Sequence, residues 1–224
     1  MADMEALRAR LNHPFRDETL LTTALTHSSY ANEHQCSSNE RLEFVGDSVL
    51  GMVVASHLYR NYPTLPEGRM TRLRSELVCE RSLYEVAKRL ELGSCLLLGK
   101  GEDSSGGRQR HSILADCVEA IIAALYLDGG LEVAKAFIDE NILCRLAEIE
   151  AMNRDYKTEL QELVQQTPGN SVTYAMTGES GPDHDKRFTS SVLLCGSVIG
   201  CGEGRTKKEA EQMAARAGLA YLAK

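Results

Sequence analysis

NERLEFVGDSVLG, residues 39–51, is the stretch whose reading decides the fold. It opens a helix that continues through about Tyr59. From Glu43 to Ser56 the run EFVGDSVLGMVVAS has only Glu43 and Asp47 as charges. At about 100° per residue, Glu40, Glu43 and Asp47 fall within roughly 60° of one another. Three carboxylates therefore share one face, while Leu42, Val45, Val49, Leu50 and Val53 supply apolar surface elsewhere. Carboxylates so placed repel one another, and burying them is costly unless a cation sits between them.

A second stretch has the same build. SILADCVEAIIAALYLDGG, residues 112–130, is apolar through Tyr126 except for Asp116 and Glu119. Their i, i+3 spacing puts both on one helix face. Two apolar helices, each with a short acidic stripe, point to facing stripes around a divalent cation. Oxygen ligands without Cys or His favour Mg²⁺ or Mn²⁺ over zinc.

The chain's 224 residues suffice for one large domain or two small ones. No apolar run approaches the about 20 residues of a membrane span, and the N-terminus lacks an apolar signal core. Cys36, Cys79, Cys95, Cys117, Cys144, Cys195 and Cys201 are scattered, with no C-x-x-C pair. That distribution fits reduced thiols in a cytoplasmic protein. Cys117 reads as a small core residue, and His27, His34 and His57, which lack metal-ligand spacing, as structural or surface residues. The net charge of −7 is unusual for a nucleic-acid binder. Any such contact must come from local basic clusters.

Helices are expected over Met4–Leu11 and Glu18–Thr26, with Asp17 capping the second. THSSYANEH, residues 26–34, reads as a polar loop, and Pro63 and Pro66 bracket a break. Residues 67–93 read as two helices bent near Cys79–Arg81. GKGEDSSGGRQRHS, residues 99–112, has no apolar anchors and reads as a mobile loop carrying Arg108 and Arg110. Residues 131–152 read as one amphipathic helix. After residue 153 the character changes. A helix over 158–166 precedes three short strands, SVTYAMTGES, KRFTSSVLLCG and SVIGCGEG. A last helix follows, with Thr206 and Glu209 as a capping box and small residues on the face toward the sheet. The fold class is therefore two domains. An all-α domain over 1–153 is followed by a small α+β domain over 154–224. The latter has α-β-β-β-α order, with two helices on one face of a three-stranded antiparallel sheet.

NERLEFVGDSVLG resembles the signature of the ribonuclease III family. HSSYANEH, EGRMTRLRSELV and RHSILADCVEAIIAALYLDGG are similar to that family's successive blocks. DYKTELQELVQQ, SGPDHDKRF and GCGEGRTKKEAEQMAA resemble a double-stranded-RNA-binding domain. The resemblance implies a Mg²⁺-dependent endoribonuclease, with Mn²⁺ as a substitute and no organic cofactor. It would cut both strands of double-stranded RNA, leaving 5′-phosphate and 3′-hydroxyl ends with short 3′ overhangs. It implies Glu43, Asp47, Asp116 and Glu119 as metal ligands, with Asp47 and Glu119 catalytic and Glu40 and Glu67 as supporting acids. It further implies a homodimer with Phe44 at the interface, and Gly46 and Gly51 suit close helix packing. RNA contacts are implied for Thr158, Gln161 and Glu162, for His184, and for Lys207 and Lys208. Ribosomal-RNA precursors and structured messenger RNA are the implied substrates. Two alternatives stay open: a silent relative that binds duplex RNA without cutting, and a metal-dependent phosphohydrolase of small substrates.

Overall fold

The computed structural model describes residues 2–153, 155–182 and 185–223. The chain divides into two compact units, Met1–Met152 and Asn153–Lys224. In the first, α1 (Ala2–Leu11), α2 (Glu18–Ala24) and α3 (Ser28–His34) lead into α4 (Glu40–Asn61). Then follow α5 (Glu67–Val78), α6 (Glu80–Arg89), α7 (Leu92–Cys95), α8 (Lys100–Ser104) and α9 (His111–Gly129). The unit ends with α10 (Leu131–Asn141) and α11 (Leu146–Asn153).

Helix α9 is the axis of this unit. Ala120 through Leu125 are all buried, so that part of the helix offers no face to water. Helices α4, α6, α2 and α10 pack around it. Pro63 stops α4, because the residue before a proline is pushed out of the helical region, and Tyr62 adopts φ −127° and ψ 63°. Glycine ends α9, with Gly130 at φ +85°. At Gly46 the two long helices meet backbone to backbone. A Cβ built there would lie 1.9 Å from the Glu119 carbonyl oxygen. Gly51, expected to serve the same end, has nothing within 4 Å of its Cβ position, so its small size does no packing work within the chain.

The N-terminal segment is tied to the end of α9 by Asp128. Its carboxylate accepts the backbone N–H groups of Arg16 and Asp17 and sits 2.7 Å from His13 Nε2. These bonds, led by that of Asp17, pull the Asp128 pKa down to about 2. Asp17 caps α2 as expected, accepting from Thr19 N–H.

Three expectations are corrected here. Residues 28–34 form a helix and not a loop, because His27 supplies a side-chain cap. The segment 99–112 is also structured, with α8 and a 3₁₀ turn at Gly107–Gln109. Its anchors are polar. Arg108 donates to the carbonyls of Gly93 and Leu96 and pairs with Asp103, while Arg110 pairs with Glu102. Residues 131–152 are broken after Asn141, where Ile142 (φ −118°, ψ −54°) leads into a 3₁₀ turn at Leu143–Arg145.

The second unit is α12 (Tyr156–Gln165), β1 (Val172–Ser180), β2 (Arg187–Leu194), β3 (Ser197–Gly204) and α13 (Lys207–Leu222). The sheet is antiparallel in the order β1-β2-β3. Leu160, Val164, Val192, Ile199, Ala214 and Ala215 form its core. Helix α13 lies on β3 at backbone distance. A Cβ at Gly202 would come 2.1 Å from Ala214 N, and one at Gly200 2.5 Å from Gly218 N. The small-residue stripe of α13 is thus matched by a glycine stripe on the strand. Thr206 caps α13 by accepting from Glu209 N–H, but the Glu209 carboxylate accepts from Arg205 N–H and not from Thr206, so the box is displaced by one residue.

Candidate active site

Glu43 and Asp47 project from α4 and Asp116 and Glu119 from α9, across the contact made at Gly46. Carboxylate oxygens of Glu43, Asp116 and Glu119 all lie within 4.8 Å of one another, and all three residues are partly buried. Asp47 is more exposed and stands beside this trio, acting electrostatically on both Glu43 and Glu119.

The protonation energetics follow from that crowding. Burial, then Asp47, Glu43 and Asp116, push the Glu119 carboxyl up to about 8. Burial raises Glu43, with Asp116, Glu40 and Asp47 adding to it. Burial also raises Asp116, helped by Glu80 and opposed by His27. Three carboxyls that hold protons this tightly, with the Asp47 charge beside them, lack positive charge, and a hard divalent cation supplies it with the oxygen donors it prefers. The donor set therefore fits the metal that the sequence predicts.

The remaining predicted residues, His184 excepted, have defined places. Glu40 accepts from Ser38 Oγ at 2.8 Å in the first turn of α4 and acts on Glu43 from there. Glu67 lies apart from the trio within the chain. It starts α5, accepts from Thr71 Oγ1, and borders a groove with Ala55, Tyr59, Met70 and Arg74, near the other end of α4. Phe44 is 78% exposed on α4. In the second unit Thr158, Gln161 and Glu162 are exposed along one face of α12, and Lys207 and Lys208 are exposed at the start of α13. His184 lies outside the described residues. The acids near it are partly answered: Glu179 pairs with Lys186, and Asp185 is 3.8 Å from Arg205. Arg108 and Arg110 are occupied in holding their own segment.

Two neighbours of the trio were not singled out in the sequence. Glu80 starts α6 and adds negative charge beside Asp116. His27, set aside for want of ligand spacing, acts on Asp116 from the start of α3.

The family model for ribonuclease-III-like domains matches residues 17–146, and that for the double-stranded RNA binding motif matches residues 156–222. The chain belongs to the ribonuclease III family. The ribonuclease 3 of Desulforamulus reducens is 48% identical over 221 residues, covering 96% of this chain and 90% of the relative. That of Pelotomaculum thermopropionicum is 51% identical over 218 residues, covering 95% and 90%. The ribonuclease III fold is also met in a 2.2 Å crystal structure of the nuclease domain from Campylobacter jejuni. It has 40% identity and a TM-score of 0.58 over 69% of this chain and 98% of that one. A second structure of that domain, 41% identical with a TM-score of 0.58, covers 65% of this chain and 96% of its own. It is described by flexibility in a region involved in dimer formation.

Proposed function

We propose that this chain is a homodimeric, Mg²⁺-dependent endoribonuclease that cuts both strands of double-stranded RNA. Residues 1–153 are its catalytic and dimerisation domain and residues 154–224 its RNA-binding domain. The observation that carries the reading is the carboxylate trio of Glu43, Asp116 and Glu119, flanked by Asp47, in a chain that also bears a double-stranded RNA binding motif.

These four carboxylates would hold the metal, which when bound supplies Lewis-acid polarisation of the scissile phosphate and a water of lowered pKa. The chain's own part is positional. Helices α4 and α9 fix the carboxylates on opposed stripes, with the spacing set by the backbone contact at Gly46. Glu40 stands behind Glu43, held by Ser38. Without a cation, the same acids repel an RNA phosphate, so activity is strictly metal-dependent. In the second unit, Thr158, Gln161 and Glu162 on α12, His184, and Lys207 and Lys208 at the start of α13 contact successive grooves and phosphates. They read A-form shape more than sequence. Products carry 5′-phosphate and 3′-hydroxyl ends with short 3′ overhangs. Ribosomal-RNA precursors and structured messenger RNA in the cytoplasm are the substrates. Among the described residues no helix is long and apolar enough to cross a membrane.

The test is incubation of the purified chain with a long RNA duplex, with Mg²⁺ or with a chelator. Cleavage is expected only with Mg²⁺; binding without cleavage in Mg²⁺ sinks the enzyme reading. Glu119→Ala is expected to slow cutting roughly a thousandfold or more while duplex binding survives.

A further inference from the structure

The first turn of α12 is gripped by two adjacent residues of α13. Gln212 Oε1 accepts from Lys157 N–H at 3.3 Å, and Gln212 Nε2 donates to Asp155 Oδ1 at 2.9 Å. The same Asp155 oxygen accepts from Thr158 N–H at 3.1 Å and so caps α12. Beside it, Lys157 Nζ pairs with Glu211 Oε2 at 2.6 Å and stands 4.4 Å from the centre of the Tyr174 ring on β1. Asp155, Lys157, Tyr174, Glu211 and Gln212 are all partly buried.

Both ends of the Gln212 amide are committed. Reversed, it would set a carbonyl against a carboxylate and an NH₂ group against an N–H, so the bonds fix its orientation. Further along, the two helices meet through apolar atoms: a Cβ added at Gly218 would lie 3.2 Å from Leu160 Cδ2. Apolar contact is not directional and does not by itself set how far one helix slides along the other. Hydrogen bonds, which are directional, do. The clasp also lies between the two groups of RNA contacts proposed for this unit. Thr158 follows Lys157 directly, and Lys208 precedes Gln212 by about one helical turn, roughly 6 Å of rise along α13.

We propose that Gln212 is a positioning residue for duplex recognition. Through Asp155 and the Lys157 N–H it holds α12 in register with the start of α13, so that contacts from both helices meet the duplex together. In A-form RNA the minor-groove 2′-hydroxyls and the phosphates across the next groove stand at a set separation. A fixed register between the helices that reach them favours RNA over B-form DNA, whose grooves differ in width and which lacks the hydroxyls. The inference rests on the RNA-binding reading of residues 154–224 and adds the part that selects the shape of the duplex.

Binding is read as the ratio of the full chain's affinities for an RNA duplex and for a DNA duplex of the same sequence and length. It is measured in chelator, so that nothing is cut, and well below the Tm of each protein. A change in bulk charge or in the folded fraction moves both affinities alike and leaves the ratio alone. Gln212→Met, similar in length but without the amide, should lower the ratio about tenfold through weaker RNA binding, the scale of one hydrogen bond to a charged group. The exchanged pair, Gln212→Glu with Asp155→Asn, keeps the net charge and should restore the ratio. In it the new amide donates to the new carboxylate and still caps α12. A Gln212→Met variant with the wild-type ratio, or a loss that the exchanged pair leaves uncorrected, overturns the inference and leaves Gln212 as a tie in the packing. A wild-type chain without preference for RNA over DNA overturns the RNA-binding reading and this one together. Should Gln212→Met fold poorly, Gln212→Ala, favourable in a helix, is measured in its place under the same criteria.

Discussion

Glu119 and Asp128 lie on the same helix and are displaced in opposite directions, so they give opposite signs of pH dependence. In cation-free protein Glu119 holds its proton to about 8, against 4.5 for the ordinary residue. A carboxyl raised in the folded state contributes stability that is fully present below the unfolded pKa and is lost as pH rises through the folded one. The Tm of chelator-treated protein should therefore fall between pH 4.5 and about 8. Glu119→Gln should flatten that slope, and added Mg²⁺ should reverse it. A Tm that is flat or rises over this window in the chelated protein contradicts the account. Asp128 is held down near 2 from 3.8, so its contribution is present above 3.8 and lost as pH falls toward 2. Asp128→Asn should lower Tm at neutral pH and remove that part of the acid-induced loss, read from melts between neutral pH and about pH 2. Both acids of α9's stripe were legible in the sequence, because a charge inside an apolar helix is anomalous on sight. His27 was not, because a histidine that caps a short helix leaves no periodic trace, and its nearness to Asp116 comes only from the folded chain.

At the scale of elements, Gly46 sets how closely α4 and α9 approach. In an exposed helix, glycine to alanine stabilises by about 0.5–1 kcal/mol. Here a Cβ would meet the Glu119 carbonyl at 1.9 Å, so the sign reverses. Gly46→Ala should destabilise by about 1–3 kcal/mol and weaken Mg²⁺ binding. Chemical denaturation and calorimetric titration measure the two effects; a more stable variant would show that the helices part without cost. Gly51→Ala, facing open space, is the matched control. The sequence revealed α4 and α9 because their apolar runs are long. It concealed α3 and α8, whose ends are held by polar groups such as His27 and Arg108. The break after Asn141 was hidden for another reason: buried Phe137, Ile138, Ile142, Leu143 and Leu146 keep helical spacing across the 3₁₀ turn.

At the scale of the molecule, residues 155–224 hold nearly balanced charge, so most of the net −7 falls in the first unit. On the proposed reading, cations held at the acidic centre would offset part of that excess where a phosphate would approach. Phe44, 78% exposed, contributes little packing inside its own chain. Phe44→Asp should therefore leave the Tm of each chain nearly unchanged while shifting sedimentation from dimer to monomer; a variant that remains dimeric removes Phe44 from the interface. The contact at Gly46 also bears on how such a chain drifts under mutation. Exchanges of one core side chain for another in α4 or α9 repack at the margins, but they cannot widen or narrow the gap between the acidic stripes, because that gap is spanned by two backbones in touch. The width of the cage is inherited from a single position and is not tuned by gradual change. A lineage that came to prefer a larger cation would have to change the ligands themselves or give up that glycine in one step.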